Sequence, residues 1–158
     1  MAGTLLVFGA RNLGKAIARH FAADGSVQGQ AGLNLGLISF AFPAGLPREA
    51  DLVFDVRFLA NPHYQAELRD MTGRDAAVGA HIEADPAFQR FFSDLTAMLM
   101  PLLPGFEREG KSYLTLAVGC TGGRHRSVFV AERLSAWLSA QGRSVSLRHR
   151  DIARADDA

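Results

Sequence analysis

A thiol, two guanidinium groups and an imidazole fall within the run Cys120-Thr121-Gly122-Gly123-Arg124-His125-Arg126-Ser127, which Gly119 precedes. The residues before it, Tyr113-Leu114-Thr115-Leu116-Ala117-Val118, have strand character. A helical apolar pattern begins directly after it, in Val130, Leu134, Trp137 and Leu138. A strand that breaks into glycines and opens a helix is a ready anion site, because the first N–H groups of the helix have no internal partner. Backbone N–H groups of Gly122 and Gly123 are expected to cradle the anion, Arg126 to neutralise it, and His125 to tune the site with pH. The expected anion is a phosphate, on a sugar, a nucleotide or a nucleic acid.

The spacing Cys-x5-Arg-Ser, from Cys120 to Arg126 and Ser127, also fits a phosphatase loop. That chemistry needs a thiolate nucleophile, amides around the phosphoryl oxygens and an arginine gripping two of them. Nearby N–H groups and arginine would lower the thiol pKa. It also needs a general acid, and the sequence does not separate Asp55, Asp70 and Asp75 for that role. A binding loop needs no thiolate, and a lone cysteine at a strand end is more commonly a small buried packing residue. Both readings stand on the residues alone: a binder, or an enzyme with Cys120 as nucleophile.

The elements that must position these groups alternate between strand and helix. Strands are expected at 4–8, 37–42, 52–57 and 144–149, with helices at 15–23, from Asp85-Pro86 onward, and after the glycine loop. Asp85 is a good N-cap with proline at the first helical position. Phe88, Phe91, Phe92, Leu95, Met98 and Leu99 recur at helical spacing as one apolar face. This order implies an α/β domain with a mainly parallel sheet and flanking helices. In such sheets ligands collect beyond the carboxyl ends of the strands. Arg57 and the turn Asn61-Pro62-His63 come after one such end and the cysteine loop after another, so the two are expected to converge. The chain is expected to divide into a segment 1–26, a Gly- and Gln-rich linker 27–36, a domain 37–152 and a tail 153–158.

Composition narrows the class. With 158 residues, 48% apolar and 21% charged, the chain suits one globular domain with a real core. No apolar run approaches the roughly 20 residues of a membrane span, and the first residues lack the basic leader of a signal peptide. One cysteine excludes an internal disulfide and points to a reducing, cytoplasmic setting. No metal-ligand set or cofactor motif is read. Between residues 105 and 150, eight basic residues (Arg108, Lys111, Arg124, Arg126, Arg133, Arg143, Arg148, Arg150) face only Glu107, Glu109 and Glu132. That half is expected either to attract phosphates or to form ordinary solvated helix faces.

From about residue 37 to 151 the chain resembles the C-terminal domain of the RNase adapter protein RapZ family. The resemblance rests on Ala50-Asp51-Leu52-Val53-Phe54-Asp55-Val56-Arg57-Phe58-Leu59, Asn61-Pro62-His63-Tyr64, Leu68-Arg69, Met71-Thr72-Gly73, Gly110-Lys111-Ser112-Tyr113-Leu114-Thr115, Gly119-Cys120-Thr121-Gly122-Gly123, His125-Arg126-Ser127-Val128 and Arg148-His149-Arg150-Asp151, in that order. It implies a phosphofructokinase-like α/β domain without catalysis. It also implies binding of small regulatory RNA, sensing of glucosamine-6-phosphate (an amino-sugar phosphate), presentation of RNA to an endoribonuclease, and a homo-oligomer. The phosphate-binding role would fall on Arg57, Asn61, His63, Thr72, Gly73, Cys120, Thr121, Gly122, Gly123, His125 and Arg126. Two departures stand out. Ala41, Pro43 and Ala44 occupy positions where the family usually carries Gly, Lys and Tyr, and the chain ends in the acidic Asp156-Asp157 where the member best known for RNA binding has a basic cluster.

Residues 7–18 admit two likenesses of their own. Gly9-Ala10-Arg11-Asn12-Leu13-Gly14-Lys15-Ala16 keeps the spacing of a Walker A loop, but Ala16 lacks the hydroxyl that binds Mg²⁺. The same stretch resembles the first strand and helix of a short-chain dehydrogenase. Neither likeness leaves room for the rest of a nucleotide domain, so 1–26 are expected to be a truncated segment that binds no nucleotide.

Overall fold

The computed structural model describes residues 5–7 and 32–153. Its strands are β1 (Leu5–Val7), β2 (Asn34–Ala41), β3 (Leu52–Asp55), β4 (Tyr113–Cys120) and β5 (Val145–His149). Its α-helices are α1 (Ala76–Glu83), α2 (Pro86–Arg108) and α3 (Arg126–Ala140), and 3-10 turns form at Phe42–Ala44 and Pro62–Tyr64. The order across the sheet is β1-β3-β4-β2-β5. β2 to β5 run parallel, as the alternation of elements implied, and only the short β1 pairs antiparallel, against β3.

β2 and β4 are buried along nearly their whole length, as interior strands of a parallel sheet must be. Side chains alternate between its two faces. Leu35, Leu37, Leu52, Phe54, Leu114, Leu116 and Val118 pack under the three helices, with Val78, Ile82, Phe88, Leu99 and Leu134. Phe40, Val53 and Ala117 form a smaller cluster, against which Phe42 and Ala50 pack. Gly119 allows this second cluster to close. A Cβ there would stand 2.4 Å from Phe40 and 2.6 Å from Phe42, so this glycine serves packing, not the anion loop.

The cap expected at Asp85 forms. Its carboxylate accepts from the Ala87 N–H at 2.9 Å and the Ala60 N–H at 2.8 Å, tying α2 to the segment that leaves β3. The end of β5 is locked by a buried relay. The Ser39 hydroxyl meets His149 Nδ1 at 2.7 Å, and His149 Nε2 meets Glu132 of α3 at 2.9 Å. Ser39 is wholly buried, so this Ser–His–Glu trio joins β2, β5 and α3 and offers no accessible nucleophile.

Several expectations need correction. β2 starts at Asn34, three residues before the strand expected at 37, because Leu33, Leu35 and Leu37 already alternate inward behind the glycines. β3 stops at Asp55, whose carboxylate turns back to the Arg57 N–H. Helix α1, Ala76–Glu83, gave no clear pattern in sequence. Its buried Gly79 sits where a Cβ would meet the Phe129 ring at 2.9 Å. The basic half is no open cationic surface, since Lys111, Arg133, Arg143, Arg148 and Arg150 pair with Asp51, Glu83, Glu107, Glu49 and Asp151. Asp51, Glu83, Glu49 and Asp151 come from outside residues 105–150, which a count along that stretch could not foresee. The expected loop 9–14, helix 15–23 and both likenesses at 7–18 lie outside the described residues, apart from the backbone of Val7.

Gly119→Ala should lower stability by about 1–3 kcal/mol, read as a shift of the urea midpoint, because the buried Phe40 ring has no space into which to retreat.

Candidate functional site

All four parallel strands end at one edge, and the segment leaving each end builds one wall of a cleft of about 690 Å³. β2 leads into the lip Ala41, Pro43 and Ala44. β3 leads into the wall Asn61, His63, Tyr64, Arg69 and Asp70. β4 leads into the floor Cys120, Thr121, Gly122, Arg124, His125 and Arg126, and β5 contributes Asp151. The convergence of the cysteine loop with the turn at 61–63 is therefore present, at the place where parallel sheets hold ligands.

Arg126 opens α3 and is only 5% exposed. Nη1 donates to the carbonyls of Arg57 at 2.7 Å and Leu59 at 3.2 Å, and Nη2 reaches Thr121 Oγ1 at 3.4 Å. Among the described residues no carboxylate lies within ion-pair distance of it. Burial holds its pKa below the usual arginine value, yet a guanidinium stays cationic in a protein. A buried charge held only by neutral groups carries a desolvation cost that an anion beside it would offset. The N–H groups of Thr121 and Gly122 find no acceptor among the described residues, and a Cβ on Gly122 would meet nothing within 4 Å.

The rest of the loop is spoken for internally. Gly123, at φ +67°, turns its N–H onto Cys120 Sγ at 3.2 Å. That amide is thus not available to an anion, contrary to expectation. Cys120 is 2% exposed and its sulfur also meets Ser127 Oγ at 3.1 Å. Arg124 Nε donates to the Met71 carbonyl at 2.8 Å and Nη2 to that of Asp70. His125 Nε2 donates to the Leu68 carbonyl at 3.1 Å, which places the ring proton on Nε2. Burial above all, and then Arg124, push the His125 pKa below 6.5, so the imidazole is neutral at neutral pH. Arg124 and His125 thus staple the floor to the 68–71 wall.

Besides Gly123, three of the expected ligands do not line the cleft. Arg57 does not line the cleft. Its guanidinium forks onto Asp55 at 2.7–3.0 Å and stacks on Phe42 at 4.1 Å, and only its carbonyl faces Arg126. Burial raises the Asp55 pKa, but the hydrogen bonds from Arg57 outweigh it and keep the carboxyl below its usual range. Thr72 spends its N–H and hydroxyl on Asp75, at 2.7 and 3.0 Å. Those bonds hold Asp75 below the usual range too. Of the three candidate acids only Asp70 lines the cleft. Gly73 is a packing residue: its N–H donates to the Arg124 carbonyl at 2.9 Å, and a Cβ there would stand 2.3 Å from the His125 carbonyl. Asn61, His63, Cys120, Thr121, Gly122, His125 and Arg126 do come together at the cleft.

Tyr64, Arg69, Arg124 and Asp151 also line it and were not named as site residues from sequence, and Asp70 was named only as one of three candidate acids. Asp151 was findable, since it comes just after the end of a parallel strand. It accepts from the Ala41 N–H at 2.9 Å and pairs with Arg150 at 2.8 Å, joining lip to floor.

The RapZ C-terminal domain family matches residues 33–153, the stretch that contains β2 to β5, all three helices and every wall of the cleft. The chain belongs to this family. A protein of Paramagnetospirillum magneticum named nucleotide-binding protein is 57% identical over 136 residues, 86% of this chain and 43% of its own length. One of Rhodospirillum rubrum with the same name is 58% identical over 130 residues, 82% of this chain and 41% of its own. One of Endomicrobium trichonymphae is 47% identical over 135 residues, 85% of this chain and 47% of its own. The chain thus spans under half the length of these relatives. Among the described residues no helix is long and apolar enough to cross a membrane, and no group of three His, Cys, Asp or Glu could hold a metal ion.

Because His125 binds a proton less readily when folded than when unfolded, its neutral form supports the fold fully above the unfolded pKa near 6.5. That support is lost as pH falls through 6.5 towards the lower folded value. His125→Gln should therefore shrink the fall in urea midpoint between pH 7.5 and pH 5.5.

Proposed function

We propose that this domain binds phosphate without catalysis and works as an RNA-binding adapter. Its cleft would receive the phosphate of an amino sugar such as glucosamine-6-phosphate, or a backbone phosphate of a small regulatory RNA presented to an endoribonuclease. The observation that carries this reading is the Arg126 guanidinium, buried without a carboxylate at the start of α3, together with the unengaged amides of Thr121 and Gly122 in the loop that precedes that helix. Family membership supports the choice of ligand and partner. Asp70 offers a carboxylate to the amine of an amino sugar from across the same cleft. The adapter role brings with it a homo-oligomer in a cytoplasmic setting. The relatives' names speak of a nucleotide, whose phosphate the same groups would receive. Pro43 on the lip contributes no cation where the family pattern has a lysine, so the remaining affinity rests the more on Arg126.

One observation favours a second reading, a Cys-dependent phosphatase. Gly123 N–H and Ser127 Oγ both approach Cys120 Sγ, at 3.2 and 3.1 Å, as they would to support a thiolate. Against it, Nη1 of Arg126 is tied to the 57 and 59 carbonyls, and the sulfur is almost wholly buried. Calorimetric titration with glucosamine-6-phosphate separates the two. Arg126→Ala should weaken binding about 10- to 100-fold, the weight of a charge-assisted hydrogen bond, while Cys120→Ser leaves it within about twofold. Turnover of a phosphate ester that disappears in Cys120→Ser would establish the enzyme instead. RNA affinity that fails to drop as salt rises would count against backbone phosphate contacts.

A further inference from the structure

Tyr64 is the most exposed large hydrophobic residue among those described, at 80%. Its backbone is nonetheless rigidly held. Pro62 is buried. Asn61 Oδ1 accepts the His63 N–H at 3.2 Å, the Asn61 carbonyl accepts the Tyr64 N–H at 3.2 Å, and the Pro62 carbonyl accepts the Gln65 N–H at 3.0 Å. Arg69 Nε fastens the same turn through the His63 carbonyl at 3.2 Å. The fold therefore fixes the position of an aromatic ring that it does not use for packing. Among the described residues the only ring against it is His63, edge-on at 6.2 Å between centroids.

The ring belongs to the lining of the same cleft as the floor residues Thr121, Gly122 and Arg126. A ligand that met both would carry a phosphate at one end and a flat, apolar surface at the other. A cleft of about 690 Å³ has room for both parts, and falls in the range of pockets that enclose whole small molecules. A pyranose offers an aromatic ring only the C–H groups of one face, a smaller contact than the wide π-face of a nucleobase. An exposed aromatic beside a cationic groove is how proteins hold bases without reading their edges.

We infer that Tyr64 is a stacking platform for a nucleobase whose phosphate sits on the Thr121–Arg126 floor, so that the cleft distinguishes a nucleotide from a phosphate without a base. This rests on the phosphate-binding reading and adds a specificity-determining residue to it. Stacking accepts any base, so adenine and uracil nucleotides are held to a similar degree.

The test titrates the full chain by calorimetry with glucosamine-6-phosphate, adenosine and uridine 5′-monophosphates, and a 5′-phosphorylated single-stranded tetranucleotide. Tyr64→Ala should weaken the base-bearing ligands about 5- to 100-fold and leave glucosamine-6-phosphate within about twofold. Tyr64→Phe, which keeps the ring, should retain wild-type affinity. Loss on the mononucleotides identifies a free nucleotide as the ligand; loss confined to the tetranucleotide identifies a strand. Tyr64→Ala acting equally on all ligands, or on none, overturns the proposal. Base-bearing ligands that respond to Tyr64→Ala but not to Arg126→Ala would leave the platform standing and sink the phosphate reading instead. Near-wild-type urea midpoints in both Tyr64 variants exclude a folding defect.

Discussion

The Arg126 guanidinium ties the floor of the cleft to the chain leaving β3. Arg126 leaves the first turn of α3, passes under the cleft and ends on the carbonyls of Arg57 and Leu59. A lysine could not span two carbonyls and a hydroxyl with one planar group. The arrangement is costly by itself, since a charge is taken out of water and given only neutral partners. What it gains is position. The chain leaving β3 is held against the loop leaving β4, and the charge stays close to the space a ligand would fill.

The same segment is fixed from its other side by Asp55, Arg57 and Phe42. The Arg57 side chain clamps onto the carboxylate two residues earlier and lies over the aromatic ring that begins the lip. Two arginines close in sequence to the site thus do different things. One faces the cleft from beneath; the other braces the outside of its wall.

Features set by neighbours along the chain were legible in the sequence. Asp85-Pro86 caps α2 because cap chemistry is local, and Phe88, Leu95 and Leu99 face inward because helical periodicity is local. The glycine loop between β4 and α3 was visible for the same reason, and with it the edge of the sheet where the site would form. What sequence could not supply was direction. Arg57, Thr72 and Gly73 sit at the right places along the chain. Yet Asp55 and Asp75 take the first two, and the third is the point where the 72–75 turn touches the backbone of α3. Gly119 and Gly123 look alike in sequence. One makes room for phenylalanine rings and the other bends to offer its N–H to a sulfur. Helix α1 stayed hidden because alanines, glycine and histidine give little contrast between faces. Its burial is decided by Phe129 and by its neighbours on α2.

β5 lies beside β2, and Ser39 is paired across the sheet with His149, 110 positions further along the chain. Contacts so distant cannot form until the chain through His149 is available. During synthesis the glycine loop, the 61–64 turn and the lip all emerge before the strand that brings Asp151 beneath Ala41. Until β5 has joined β2, the Ala41 N–H that begins the lip lacks its Asp151 partner, so the shape of the cleft depends on the last of the five strands.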